Sequence, residues 1–233
     1  MGAFSFAPRP VPTVAALLMI ALTVWLGRWQ MHRAEEKEAL QAMLESRMAE
    51  PPVRLTGAVP SAEPLLFRRV QAEGEWIGQQ QIYLDNQIHE GRAGFAVVTP
   101  LRLRGSPSAV LVNRGWEPRG AGYPQAPRVE APAGPVSVEG IATVPPRRYL
   151  ELSPETVTGN VWQNLSIERY RARTGLDVLP VVVVASAPAP GLAAIVERPD
   201  AGVAKHREYE LTWFLLAATV LVLWLALNLR RAR

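Results

Sequence analysis

Two apolar segments, one near each end, constrain this chain more than anything that lies between them. Val11 to Leu26 is dominated by Val, Ala, Leu, Met and Ile, and Leu211 to Leu229 carries no charge. Crossing a bilayer as a helix takes about 20 apolar residues, within a range of about 17–25. The second segment meets that length alone, and the first meets it once Gly27 is included. Two transmembrane helices holding one domain on a single side of the bilayer are therefore expected, with both chain ends on the other side. The implied division is a tail at 1–10, a first span at 11–27 and a helical stalk at 28–50. A β-rich domain at 51–205, a second span with its interfacial lead-in at 206–229, and a tail at 230–233 follow.

The stalk is expected because Arg28 to Met48 lacks Pro and Gly and is rich in Glu, Ala, Gln, Met and Lys, all good helix formers. Pro51 and Pro52 are expected to end it. The middle of the chain reads as short strands between Gly and Pro punctuation. Arg69–Ile77, Gln81–Leu84, Phe95–Leu103, Ala109–Asn113, Val136–Thr143 and Leu179–Ala185 are the candidates, with Asp85–Gly94 a turn-prone interval. Ser166–Thr174 reads as a short helix closed by Gly175. That spacing suggests an antiparallel barrel or sandwich, and with the two spans the fold class is an α+β membrane protein.

Composition excludes several roles. Lys and Arg number 25 against 21 Asp and Glu, for a net charge of +4. The basic residues are scattered among acidic ones and no run interleaves them with aromatics, so no nucleic-acid partner is expected. With 0 Cys, disulfides, thiolate zinc sites, covalent c-type haem attachment and thiol copper transfer are all removed. Gly27, Arg28, Trp29 and Gln30 follow the first span without a small-x-small cleavage pattern, which favours a retained anchor over a signal peptide. Flanking charge leaves orientation open: Arg230, Arg231 and Arg233 favour a cytoplasmic C-terminus, while Arg28, Arg33, Lys37, Lys205 and Arg207 favour the reverse.

No catalytic string stands out: there is no G-x-S-x-G elbow, no Gly-rich loop ahead of a Lys, and His89–Glu90 lacks a zincin's second His. Three other strings are more distinctive. They are Leu26-Gly27-Arg28-Trp29-Gln30-Met31-His32-Arg33, Val110 to Pro118 with Asn113-Arg114-Gly115-Trp116 at its centre, and His206-Arg207-Glu208-Tyr209-Glu210-Leu211-Thr212-Trp213-Phe214. With Phe67-Arg68-Arg69-Val70 and Gly74-Glu75-Trp76, they resemble the surfeit locus (Surf/Shy) family of cytochrome c oxidase assembly factors, from about Leu26 to Phe214.

That resemblance implies a membrane-anchored factor whose domain is extracytoplasmic and whose termini are cytoplasmic. Since no Arg-rich, Ser-rich leader precedes the first span, it points to a bacterial inner (plasma) membrane with the domain in the periplasm. The implied partners are the large subunit of cytochrome c oxidase, the haem a synthesis machinery and the lipid bilayer. The implied cofactor is haem a, held transiently, with His206 as ligand to the haem iron.

His32 is a candidate second ligand, because it lies about as far beyond the first span as His206 lies before the second. Trp29, Tyr209 and Trp213 read either as an interfacial aromatic belt or as rings that stack on a porphyrin. Arg28 and Arg207, with Lys205, are placed to meet its propionates. Arg114 and Trp116 are the candidate partner contacts, although their string also suits a strand-end turn that serves the fold. His89, between turn residues, is expected to be merely exposed. Two alternatives stay open: a scaffold that stabilises the oxidase subunit without haem, and a membrane-tethered extracytoplasmic enzyme with a scattered site.

Overall fold

The computed structural model describes residues 4–57, 59–145, 157–195 and 202–231. In chain order the elements are β1 (Phe4–Phe6), α1 (Pro10–Ala49), β2 (Val53–Leu55), β3 (Arg69–Trp76), β4 (Ile82–His89), β5 (Arg92–Leu103) and β6 (Ala109–Pro118). There follow β7 (Pro135–Thr143), β8 (Val157–Thr158), β9 (Val161–Trp162), α2 (Ile167–Thr174), β10 (Val178–Ala185), α3 (Val203–Asn228) and β11 (Leu229–Arg231). They form two compact units, Met1–Leu44 with Pro199–Arg233, and Glu45–Arg198.

The first unit is an antiparallel pair of long helices. α1 runs unbroken from the apolar segment into the polar one, and stops where Pro51 disfavours a helical conformation at Glu50. Thr23, Gly27 and Ala34 are its buried residues, spaced to form one face, and Ala217 is buried on α3. Small side chains let two backbones approach closely. At Gly27 a Cβ would stand 3.0 Å from the Phe214 ring. Toward the chain ends, the Trp224 indole N–H donates to Thr13 Oγ1 at 3.1 Å. There β1 pairs antiparallel with β11, Phe6 opposite Leu229, so residues 230 and 231 form a strand rather than a plain tail. Leu17, Leu18, Leu22 and Trp25 on α1, and Leu211, Leu215, Val222 and Leu227 on α3, are exposed. Both helices are long and apolar enough to cross a membrane, and only 11% and 6% of their most apolar stretches are buried, unlike the core helices of soluble proteins.

The second unit is built on one mixed sheet of order β2-β3-β7-β10-β6-β5-β4-β9-β8. β3 also pairs with β5, Trp76 opposite Leu101, so β3, β7, β10, β6 and β5 close a circuit of pairings. The expectation of an antiparallel sheet is corrected here: β2–β3, β4–β9 and β6–β10 are parallel. Parallel neighbours need a crossover. β7 and α2 lie between β6 and β10 in the chain and supply one.

Alternation along the strands sorts the core. Val110 and Val112 of β6 join Val70, Leu101, Leu103, Val138, Val181 and Val183 in one cluster drawn from all five strands of the circuit. Leu111 and Val182 point the other way, into a cluster with Trp162, Ile167 and Tyr170. Covered on both faces, β5 and β10 are buried almost continuously, as their unbroken apolar runs require. α2 is fastened at both ends. Ser166 Oγ accepts from the Arg169 N–H at 3.2 Å, and Gly175, at φ 69°, closes it through a bond to the Arg171 carbonyl.

The interval Asp85–Gly94 is not a single turn. β4 continues through it to His89 with a register shift between Leu84 and Gln87, where Asn86 takes φ 59°. The reversal is confined to Glu90 and Gly91, both at positive φ. β6 likewise runs past Asn113 to Pro118.

Candidate functional site

Where α1 meets α3 beyond the apolar stretches, polar side chains converge. His206 Nδ1 lies 2.7 Å from Gln30 Oε1. An amide oxygen only accepts, so Nδ1 is the donor here, and in the neutral imidazole Nε2 keeps its lone pair. This is the arrangement by which an orienting partner fixes the tautomer and direction of a metal-binding imidazole. Tyr209 and Trp213 follow His206 at three and seven residues, which ranges both rings along its face of α3. Tyr209 is exposed and Trp213 half-buried. At the next residue of α3, Arg207 sets Nε and Nη2 on the two oxygens of Glu38 at 3.0 Å each, while Nη1 donates to Glu210 Oε2 at 2.9 Å.

The residues singled out in the sequence therefore divide. His206, Tyr209 and Trp213 share one face, and Trp29 is exposed on α1. Arg207 is already neutralised by two carboxylates. Arg28 and Lys205 are exposed and have no ion-pair partner among the described residues, so both are cations available to an anion. His32 is not brought to His206: it is 73% exposed and lies 3.7 Å from Glu35 and 3.4 Å from Glu36 on its own helix. Gln30 and Glu38 are the residues that sequence reasoning missed. Helical phase was the available signal, since Gln30 and Glu38 continue the face of Thr23, Gly27 and Ala34, whereas His32 does not.

In the second unit, Asn113-Arg114-Gly115-Trp116 is a β-bulge. Ala96 pairs with Trp116 and Val98 with Asn113, leaving Val97 alone opposite Arg114 and Gly115. Asn113 Oδ1 accepts the Gly115 N–H at 3.2 Å. Gly115 sits at φ 135° with the Ala193 carbonyl 2.8 Å from where a Cβ would be, so only glycine suits the position. The chain at 189–193 clips onto this bulge through Trp116 N–H to Ala193 O, Ala193 N–H to Trp116 O, and Ala189 N–H to Arg114 O, each at 2.8 Å.

Arg114 and Trp116 are 4% and 5% exposed, so neither is a surface contact. The Trp116 indole N–H donates to the Gln87 carbonyl at 2.8 Å, and its ring lies 5.1 Å from that of His89, which is half-buried against it rather than simply exposed. Arg114 donates to Gln81 Oε1 at 3.1 Å, to Thr99 Oγ1 at 3.4 Å and to the Glu130 carbonyl at 3.0 Å. Its guanidinium lies 5.1 Å from the centre of the Trp76 ring. Burial pulls its pKa below the usual guanidinium value.

Comparison with known proteins agrees with the strings. The profile of the SURF1 family matches residues 17–218. A SURF1-like protein of Monosiga brevicollis is 26% identical over 232 residues, covering 92% of this chain and 86% of that protein. Surfeit locus protein 1 of Mus musculus is 27% identical over 230 residues, with 92% and 75% covered. A SURF1-like protein of Drosophila melanogaster is 29% identical over 234 residues, with 89% and 74% covered. A match that reaches into both long helices and takes in the whole sheet between them settles the kinship: this chain belongs to the SURF1 family.

Proposed function

We propose that this protein is a membrane-anchored assembly factor for cytochrome c oxidase that receives haem a and passes it to the large oxidase subunit. α1 and α3 cross a bacterial inner membrane, both termini lie in the cytoplasm, and the mixed-sheet domain stands in the periplasm. Haem a is cargo in this reading, supplied by its synthesis machinery. No bond chemistry is assigned to the protein.

The observation that carries the proposal is the hydrogen bond from His206 Nδ1 to Gln30 Oε1, which leaves Nε2 free at the polar N-terminal end of α3, just before its apolar stretch. Neutral imidazole with a free Nε2 is a good iron ligand, and the bond at Nδ1 fixes the ring's direction. Tyr209 and Trp213, ranged along the same face, offer flat apolar surface to a porphyrin. Arg28 and Lys205, each without a carboxylate among the described residues, suit a propionate better than Arg207, which Glu38 and Glu210 already occupy. A single labile ligand gives the modest affinity that delivery requires.

The test is an absorption spectrum of the protein purified from cells that co-produce haem a, beside His206→Ala prepared identically. Haem a in the wild type and its loss in the variant is the expected result. No haem in either preparation overturns the carrier reading and leaves the scaffold.

A further inference from the structure

A second place in the molecule has the attributes of a binding site, and it belongs wholly to the sheet domain. A cavity of about 470 Å³ opens beside the bulge in β6. Sites for small molecules commonly have volumes of about 300–1,000 Å³. Trp76, Val112, Val136, Val138, Ala185 and Ala187 give it apolar walls, and Arg114 joins them on its inner side. Two further wall residues, Ser137 and Glu139, are exposed and stand at the mouth.

Arg114 is the anomaly. It is nine-tenths and more buried, yet every hydrogen bond it makes among the described residues is to a neutral group: the Gln81 amide, the Thr99 hydroxyl and the Glu130 main-chain carbonyl. It has no carboxylate partner among the described residues. Buried charges are ordinarily paired, because desolvation penalises a lone one heavily. Nor is the position an accident of a loose surface. Arg114 keeps the face of Val110 and Val112, Gly115 permits the bulge that follows it, and Ala189 and Ala193 lock that bulge. The Gln81–Thr99 pair, joined at 2.8 Å, and the bond from Gln81 Nε2 to the Val129 carbonyl, at 2.8 Å, hold the guanidinium's surroundings still. A cation prepared in this way, facing an apolar cavity, lacks only its anion.

We infer that this cavity binds a small free carboxylate with an apolar body, its carboxylate on Arg114 and its body between Trp76 and the Val112, Val136 and Ala187 walls. An extended polypeptide is a poorer fit. Its main-chain N–H and C=O groups would meet apolar walls with few partners, whereas a carboxylate on a hydrocarbon or aromatic body brings no other polar group. Charge pairing with a desolvated guanidinium supplies the selectivity for an anion. The site is independent of the His206 proposal and stands or falls separately.

The experiment uses the full chain in lipid nanodiscs and 3-phenylpropionate as the probe, followed by saturation-transfer NMR and calorimetry. Its neutral isostere 3-phenylpropanamide and a short acetylated peptide ending in a Phe carboxylate are run alongside. Saturable binding of the acid, with the amide weaker by roughly 10–100-fold, is expected for a charge-assisted contact. Arg114→Gln should weaken the acid by a similar factor. Because Arg114→Gln removes part of a buried network, Ala187→Trp is the second variant. It fills the cavity from an exposed wall position, leaves every Arg114 hydrogen bond in place, and should abolish binding. Acid and amide binding equally, wild type and Ala187→Trp binding equally, or no saturable binding of the acid would each overturn the inference. Preference for the peptide would overturn it too, and would assign the cavity to a polypeptide end.

Discussion

Gln30 does for His206 what no other residue on α1 does: it holds one ring nitrogen so that the other faces outward. Gln30→Leu should therefore lower haem a retention by about 10–100-fold, the usual cost of losing an orienting partner, without disturbing helix insertion. Gln30→Glu should restore retention. Its carboxylate accepts the same proton more strongly, makes Nε2 more basic, and should move the haem midpoint potential downward in a redox titration. Gly115 carries the opposite kind of constraint, since its conformation and the Ala193 carbonyl both refuse a side chain. Gly115→Ala should cost about 1–3 kcal/mol of domain stability, read by pulse proteolysis in urea. At this scale the sequence was partly legible. His206 and the Asn113–Trp116 string stood out, but the role of Gln30 depends on helical phase against a partner helix. Arg114 and Trp116 read either as partner contacts or as part of a strand-end turn that serves the fold, and a strand-end turn and an internal bulge use the same residues.

Among the elements, α2 is the one whose ends the sequence specified outright, since both caps are local chemistry. Ser166→Ala removes the bond to Arg169 and should cost about 0.5–2 kcal/mol. Glu168 in the first turn is held below the ordinary carboxylate range, first by its own backbone N–H and then by Ser166. A depressed folded-state pKa stabilises above the unfolded value and is lost as pH falls through the folded one. The stability difference between wild type and Glu168→Gln should accordingly be present at neutral pH and vanish on acidification below about pH 4; urea unfolding across that range reads it. Strand positions were legible for the same local reason, because alternation and apolar runs are local. Strand partners were not. Whether β6 lies against β10 in parallel depends on a crossover between them in the chain, and no period within either strand records it. Asp85 and Asn86 read as a turn because positive φ suits turns, yet here it makes a bulge that lets β4 run on to His89.

For the molecule as a whole, the division into an apolar helical hairpin and a sheet domain could be read from hydropathy alone, whereas sidedness could not. The absence of cysteine makes sidedness measurable, because any introduced thiol is the sole one. With a membrane-impermeant maleimide, Gly120→Cys in the exposed loop after β6 should label in spheroplasts, and Ala7→Cys only after permeabilisation. The opposite pattern would invert the proposed topology. The pairing of β1 with β11 adds a matter of timing. Phe4 to Phe6 are synthesised before their partners, Leu229 to Arg231, which follow only after everything between has been made. β1 thus waits for its partner strand through the translation of everything between them, and the hydrogen bonds of the pair can close only once α3 lies beside α1.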